Sequence, residues 1–336
     1  MNAKKLSDTI AISIIVPVFN EEANLLELYR RLTSTMVGIG EPYEIIFVDD
    51  GSSDNSLKIL CEIQQADSQV TVIQLSRNFG QHPAIVAGLH RAHGNAIVLI
   101  DADLQNPPEE IGQLYGKFCE GFEVVYGIRA GRVDANWRRS GSRFVMWLIR
   151  RLLGIEIPDD MISGFRIIHR KVAQTLNSIR EQQYDTAIMM RWLGFRHAGV
   201  EVQHNSRNAG ESKYGTWKLI FLTLDMLIGF SDFPLRIASI TGSLLAFAAM
   251  IVGLYMAVRR VLGIIDVPGY ASIFVGVTFL AGIQLLFLGV IGEYIARIYR
   301  EMKGRPYYVI SEVYSSTSAE TENEYGTTQR ESHRVF

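Results

Sequence analysis

Two carboxylates stand two residues apart in the segment Asp101–Gln105 (DADLQ), directly after an apolar run that ends at Ile100. Hard divalent cations such as Mg²⁺ prefer oxygen ligands and are commonly coordinated by one or two carboxylates together with the phosphates of a substrate. A cation held here would offset the charge on a departing diphosphate. We therefore predict a metal site on Asp101 and Asp103, with Gln105 as a further oxygen ligand. The same spacing also suits a turn whose aspartates cap the following helix.

Two further acidic segments follow apolar runs earlier in the chain, Pro17–Glu22 (PVFNEE) and Val48–Asp54 (VDDGSSD). Carboxylates in the second segment can hydrogen-bond a nucleobase or a ribose, and Gly51 permits a close turn. Each segment alone also fits ordinary loop and helix-cap chemistry. Three acidic strand ends in one sheet, taken together, indicate a cleft for a nucleotide and a metal ion.

The elements that must position these segments alternate regularly between residue 12 and about residue 127. Short runs rich in Val and Ile predict buried parallel strands at Ile12–Val18, Tyr43–Val48, Val70–Leu75, Ala96–Ile100 and Glu123–Tyr126. The stretches between them predict helices at Glu22–Val37, Asp54–Ala66, Gln81–His93 and Pro108–Glu120. This alternation predicts an α/β fold with a mostly parallel sheet, and ligands of such sheets bind beyond the carboxyl ends of the strands.

Two long segments near the C-terminal end carry no charged residue, Ile237–Val258 and Val267–Gly292. A helix needs about 20 residues to cross the hydrocarbon core of a bilayer, so we predict two transmembrane helices rather than two buried core helices. Basic residues flank the pair on both sides and outnumber Arg259 and Arg260 between them, which predicts cytoplasmic flanks. These residues are Lys213, Lys218 and Arg236 before the first segment, and Arg297, Arg300, Lys303 and Arg305 after the second.

Composition excludes several classes of protein. The formal net charge of -2 lacks the basic excess typical of nucleic-acid-binding proteins. Cys61 and Cys119 are too few for a disulfide framework or a cysteine-rich metal site. Arg138–Leu153 mixes arginines with large apolar residues, as a helix in an anionic membrane surface does, although a helix packed on its own domain fits as well. Residues 311–336 are polar and predict a disordered tail.

The order of PVFNEE, VDDGSSD, LSRNFGQHPAIVAG and DADLQNPPE resembles the family 2 glycosyltransferases, in particular the branch that moves a sugar onto a polyprenyl phosphate. The resemblance covers about residues 10–310. It implies a GT-A type, Rossmann-like catalytic domain over residues 1–233, a two-helix transmembrane region over 234–298, and a cytoplasmic basic segment with a polar tail over 299–336. It also implies a UDP-sugar or similar nucleotide-sugar donor, undecaprenyl phosphate as acceptor, Mg²⁺ or Mn²⁺, and a homo-tetramer in the inner membrane with its catalytic domain in the cytoplasm.

The resemblance also assigns roles by position. Asp101, Asp103 and Gln105 match the metal motif of the family, and Asp103 joins the catalytic candidates. Donor-binding roles fall on Pro17, Asn20, Glu22, Asp49, Asp50, Ser52, Asp101 and Lys213. Asp160 and Arg166 are catalytic candidates in DMISGFR, although the bactoprenol branch has its acid where this chain has Gly164, so the identity of the acid stays open. Candidates for holding the lipid phosphate are Arg129, Arg132, Arg139 and Arg143.

The implied reaction is an inverting attack of the lipid phosphate on the anomeric carbon of the donor. One rival function is a processive polysaccharide synthase of the same family, which resembles its relatives in a QxxRW motif; here Ile188 stands where that motif has glutamine. The other rival is a non-catalytic membrane scaffold or lipid-flipping partner on a transferase fold. The intact DADLQ segment argues against such a decayed site.

Overall fold

The computed structural model describes residues 10–129, 164–179, 186–203, 233–262 and 269–316. These residues fall into two compact units. The first contains the described residues up to 203 and those from 306 onward, and it is built on one mixed sheet. The second contains two long helices between residues 233 and 305.

Four parallel strands form the centre of the sheet: β1 (Ile12–Val18), β2 (Tyr43–Asp49), β3 (Val70–Leu75) and β4 (Ala96–Leu99). They lie in the order β3-β2-β1-β4. Their residues are buried along almost their whole length, as the continuous Val and Ile runs predict for strands covered on both faces. Because β4, β1 and β2 are neighbours, the three acidic segments leave the sheet at the same edge.

Four further strands extend this centre: β5 (Val124–Arg129), β6 (Arg166–His169), β7 (His197–Val202) and β8 (Ile310–Tyr314). Within the described ranges the full order is β7-β5-β6-β4-β1-β2-β3-β8. Strand β6 is antiparallel to both β4 and β5, and β8 is antiparallel to β3. The prediction of an α/β fold with a mostly parallel sheet is confirmed.

The helices of the first unit are α1 (Leu25–Ile39), α2 (Ser56–Ala66), α3 (Gln81–Arg91), α4 (Ile111–Cys119), α5 (Arg170–Ser178) and α6 (Thr186–Trp192). Helix α1 buries Leu25, Leu28, Leu32 and Met36, a spacing that places them on one face. The helix predicted from Glu22 begins only at Leu25, and the one predicted from Pro108 begins with a single 3₁₀ turn, Pro108–Glu110. Helix ends are less determined by hydrophobic periodicity than helix centres.

Strand β8 shows that the prediction of a disordered tail over residues 311–336 is wrong at its beginning. Residues 311–314 are not disordered, because they pair with β3, with Tyr314 opposite Val72 and Val313 opposite Ile73. The phenol of Tyr314 donates to Glu312 at 2.7 Å, and this bond together with burial raises the pKa of Tyr314 to about 12. The three central residues of β8 are exposed, so its composition is polar and resembles that of a loop. Residues 317–336 lie outside the described ranges.

The described part of the second unit contains α7 (Phe233–Val261) and α8 (Tyr270–Met302). Each contains a segment long and apolar enough to cross a membrane, Leu235–Met256 with a mean hydropathy of 2.1 and Phe279–Met302 with 1.8. None of the residues in these two segments is buried within the described structure. Large apolar side chains exposed all round a helix indicate association with a membrane. The amphipathic segment Arg138–Leu153 lies outside the described residues.

His197 on β7 is a partly buried histidine whose protonation is linked to the stability of the first unit. Its ring stacks on Tyr126 with centroids 5.7 Å apart. Both ring nitrogens are buried and, in the part of the chain that the structure describes, have no hydrogen-bond partner. Burial, reinforced by the nearby charge of Arg191, lowers the pKa of His197 to about 4.

We expect the first unit to lose stability as the pH falls from about 6.5 to about 4, because the unfolded chain then binds a proton at His197 that the folded chain does not. The loss is about 2 kcal/mol after allowance for solvent screening. Thermal unfolding of the purified protein at several pH values measures it. His197→Phe should flatten the pH dependence over this range, and an unchanged slope in the variant would contradict the assignment.

Candidate active site

The loops that follow β1 and β2 are joined by hydrogen bonds. Asn20, whose backbone is left-handed with φ of 56°, donates its N–H to Ser52 Oγ at 3.0 Å. Its side-chain oxygen accepts the N–H of Ser53 at 2.8 Å. Glu22 Oε2 accepts both the backbone N–H of Asn55, at 2.9 Å, and the side-chain amide of Asn55, at 2.8 Å. Three of the predicted donor-binding residues therefore lie together, and they also hold the two loops in place.

Asp49 is the last residue of β2 and Asp50 follows it, and both carboxylates are buried. Burial raises the pKa of both, and hydrogen bonds from neighbouring N–H groups oppose that rise. Asp49 accepts from the Ser52 N–H at 3.3 Å. Asp50 accepts from Phe79 at 2.7 Å through Oδ1 and from Gly80 at 2.8 Å through Oδ2. The two predicted aspartates therefore bind different loops. Asp49 hydrogen-bonds the loop after β2, and Asp50 hydrogen-bonds the loop after β3.

The loops after β2 and β3 also meet backbone to backbone at Gly51. Its φ is 68°, and a Cβ placed there would lie 2.6 Å from the carbonyl carbon of Arg77. Only glycine fits this position without moving the backbone. The close turn that the sequence predicts at Gly51 is confirmed.

Asp101 and Asp103 lie in the turn directly after β4. Ala102 between them is buried, while both aspartates are partly exposed. Asp103 Oδ1 accepts the N–H of Gln105 at 3.1 Å. Asp101 Oδ1 accepts the side-chain amide of Gln81 at 2.5 Å. The buried alanine anchors the turn and leaves the carboxylates at the surface of the unit.

Gly164 closes on Asp101 from another direction. A Cβ at Gly164 would lie 2.5 Å from Asp101 Oδ2 and 3.2 Å from its Cγ. The position where the bactoprenol branch carries its acid is therefore in contact with the predicted metal ligand. This contact joins the DMISGFR segment to the DADLQ segment.

Arg166, a predicted catalytic residue, is buried in β6 opposite Leu99 and Tyr126. Its Nη2 donates to Thr186 Oγ1 at 2.6 Å. The side chain therefore contacts the first residue of α6 inside the unit. A role in the reaction stays a prediction.

Several predicted residues have no described side chain. Asp160, Lys213, Arg132, Arg139 and Arg143 lie outside the described residues. Arg129 is described as the last residue of β5, opposite Val202, but not in its side chain. Pro17 lies within β1 opposite Val48. The roles assigned to these residues stay predictions.

The turn after β4 fits a shared metal ion rather than a closed protein cage. Among the described residues, no group of three or more His, Cys, Asp or Glu side chains could hold a metal ion. Asp101, Asp103 and Gln105 offer only hard oxygen donors at a partly exposed position. Mg²⁺ and Mn²⁺ accept such donors, and Mg²⁺ sites commonly combine few protein ligands with substrate phosphates and water.

Two residues that contact Asp101 were not predicted, Gln81 and Gly164. Gln81 opens the helix after β3, so reading the loop after every strand as a ligand-binding loop would have included it. Gly164 directly precedes Phe165 and Arg166 in DMISGFR, a segment in which Asp160 and Arg166, and not the glycine, are the predicted site residues. No periodicity marks a contact between residues so far apart in the chain.

The chain is similar to known glycosyltransferases. The model of the family described as glycosyl transferase family 2 matches residues 13–177. An uncharacterized glycosyltransferase of Synechocystis is 38% identical over 307 residues, which cover 91% of this chain and 96% of that protein. Undecaprenyl-phosphate 4-deoxy-4-formamido-L-arabinose transferase of Pseudomonas aeruginosa is 36% identical over 311 residues, 91% of each chain.

Among solved structures, glucosyl-3-phosphoglycerate synthase from Mycobacterium tuberculosis, in complex with Mn²⁺, uridine diphosphate and phosphoglyceric acid, is similar over 67% of this chain and 78% of that chain. The TM-score is 0.47 and the sequence identity is 20%. The family match itself contains the three acidic loops, Gln81 and Gly164.

Proposed function

The chain belongs to glycosyl transferase family 2, and from this premise we propose that it transfers a sugar from a nucleotide sugar to a polyprenyl phosphate at a membrane. The GT-A type fold expected from the sequence agrees with the mostly parallel mixed sheet and the family match. The observation that carries the proposal is the exit of three acidic loops from neighbouring strands, with Asp101 and Asp103 in the turn after β4. Similarity to the Pseudomonas transferase over 91% of the chain supports the lipid acceptor.

We assign donor binding to the loops after β1 and β2, which are joined by hydrogen bonds. We assign the nucleoside, proposed to be uridine, to Pro17, Asn20, Glu22, Asp49 and Ser52. Asp101, Asp103 and Gln105 would hold Mg²⁺ or Mn²⁺. When bound, that cation supplies positive charge against the diphosphate of the donor and of the leaving nucleoside diphosphate.

The acceptor phosphate is already anionic at neutral pH, so its attack needs little help from a general base. One of its oxygens forms a bond to the anomeric carbon on the face opposite the diphosphate, and the leaving diphosphate takes the electron pair of the broken bond. The configuration at that carbon inverts. Asp160 is assigned to the sugar and Lys213 to the donor phosphates. Arg166, buried against Thr186, stays a catalytic candidate without an assigned contact. The work of the protein is positioning and charge stabilisation.

The proposed membrane orientation rests on the distribution of basic residues around the two long helices. We propose that α7 and α8 cross the inner membrane, with residues 1–233 and 299–336 in the cytoplasm and residues 234–298 as the spanning region. Four arginines, at positions 129, 132, 139 and 143, would then face an anionic head group at the membrane surface. A homo-tetramer is the assembly that the family resemblance implies.

A transfer assay tests this proposal. Purified protein in liposomes with undecaprenyl phosphate is given a panel of radiolabelled nucleotide sugars, with Mn²⁺, with Mg²⁺ or with chelator. We expect one donor, a UDP-sugar, to give a lipid-extractable product that carries a single sugar and that disappears with chelator. A polymeric product would instead support a processive synthase, and no product from any donor would support the non-catalytic scaffold.

A further inference from the structure

Gln81 touches the metal-binding carboxylate of the proposed site without being a ligand itself. It is the first residue of α3, and its Nε2 donates to Asp101 Oδ1 at 2.5 Å. A carboxylate oxygen has further lone pairs, so this bond leaves acceptor capacity on Asp101 for a cation. Partners that hydrogen-bond a ligating side chain orient it toward the metal, and losing one typically weakens metal binding.

The start of α3 is in turn held by Asp50. Phe79 and Gly80 donate their N–H groups to the two carboxylate oxygens of Asp50, and Gly80 directly precedes Gln81. Only 3% of Asp50 is exposed, so water competes little for these bonds. A carboxylate at a helix N-terminus is also favoured by the helix dipole. Asp50 thereby fixes the start of α3 and, with it, the position of Gln81.

We propose that Asp50 and Gln81 are positioning residues for Asp101: Asp50 holds the start of α3, and Gln81 sets the orientation of the Asp101 carboxylate. The inference rests on the proposed function, in which Asp101 binds the cation. It gives Asp50 a role other than the nucleotide contact that the family resemblance implies. Both carboxylate oxygens of Asp50 already accept backbone N–H groups from the loop after β3, whereas the donor described for Asp49 is Ser52 of its own loop.

The first test measures metal binding directly. The full chain, purified in detergent with UDP present, is titrated with Mn²⁺, and the spectroscopic signal of free Mn²⁺ gives the dissociation constant. Gln81→Ala is expected to weaken Mn²⁺ binding about 10- to 100-fold. Gln81→Met keeps a similar length but has no N–H donor and adds no charge, and should weaken binding as well. UDP binding without metal should stay within about twofold of wild type in both variants.

Gln113→Ala is the matched control. Gln113 Nε2 also donates to a carboxylate, Glu110 Oε2, at 2.7 Å, but that carboxylate is not a proposed ligand. We expect the control to bind Mn²⁺ within about twofold of wild type. Equal losses in Gln113→Ala and Gln81→Ala would overturn the inference, because the loss would then be a general effect on the unit.

A double-mutant cycle tests whether Asp50 acts through Gln81. Asp50→Asn keeps one acceptor oxygen and should weaken Mn²⁺ binding about tenfold alone, but less than about twofold when Gln81 is already alanine. Asp50→Glu, which keeps the charge, serves as a second variant, with thermal unfolding as the check on folding. Full additivity, or a loss of metal-free UDP binding, would overturn the role proposed for Asp50.

Asp101→Asn separates this inference from the proposed function. If wild type binds Mn²⁺ with UDP and Asp101→Asn does not, the metal site stands, and wild-type affinity in Gln81→Ala then overturns the positioning role alone. If wild type binds no Mn²⁺ with UDP, the metal site of the proposed function and the inference both fail.

Discussion

Replacing Asp103 with asparagine is expected to lower sugar transfer about 1,000-fold, equivalent to about 4 kcal/mol of barrier, while the protein stays folded and membrane-bound. Asparagine has nearly the same size, and its side-chain oxygen can still accept the Gln105 N–H that Asp103 accepts at 3.1 Å. The turn therefore survives, and what is lost is one of two negative charges that would bind the cation at the donor diphosphate. The measurement is the initial rate with the donor identified in the panel.

Asp67→Asn provides the control for Asp103→Asn. Asp67 accepts from Tyr29 Oη at 2.9 Å and lies before β3, at the edge of the sheet opposite the acidic loops. Its replacement removes the same charge from the protein and should leave transfer within about threefold of wild type. Near wild-type turnover in Asp103→Asn would contradict the proposed metal site.

The second large effect is expected at Gly164. In Gly164→Ala the new Cβ would lie 2.5 Å from Asp101 Oδ2, so the carboxylate must rotate away. The side chain of Asp101 is partly exposed and can move at little cost in stability, yet the proposed cation site depends on its position. We expect transfer to fall about 100-fold, as displaced catalytic geometry commonly does, with thermal unfolding nearly unchanged.

Gly116→Ala is the matched substitution for Gly164→Ala. Gly116 lies in α4, and a Cβ there meets nothing within 4 Å. Alanine at this helical position should keep activity and slightly raise stability. Equal activity in the two variants would show that the carboxylate of Asp101 can take another orientation without loss.

The central strands were predictable because each is a continuous apolar run. The bounds predicted for β1 and β3, Ile12–Val18 and Val70–Leu75, are those of the structure, and β2 extends only one residue further, to Asp49. A strand buried on both faces needs such a run, and the chain ends it where polar loop chemistry begins. The three acidic loops followed from the same reasoning, since each begins where a run ends.

The remaining features depend on pairing across long distances in the chain. β6 has only four residues and enters between β4 and β5, which the order of the sequence does not reveal. The contacts of Asp101 with Gln81 and Gly164 likewise arise only once the strand order brings separate loops to one edge. Hydrophobic periodicity reports burial within an element and carries no information on which loops meet.

The pairing of β8 with β3 also affects how the protein is made. β3 ends at Leu75 and β8 begins at Ile310, on the far side of both long helices in the chain. At about 5 to 20 residues per second, translation takes roughly 10 to 50 s to cover the roughly 235 residues between them. During that interval β3 can pair with β2 on one side but not with β8 on the other, and an unpaired strand edge invites pairing with other chains. The sheet is therefore completed only after the ribosome has passed both apolar helices, and β8 covers this edge of β3 only near the end of synthesis. Aggregation through the edge of β3 is therefore a risk mainly for the growing chain and not for the finished protein.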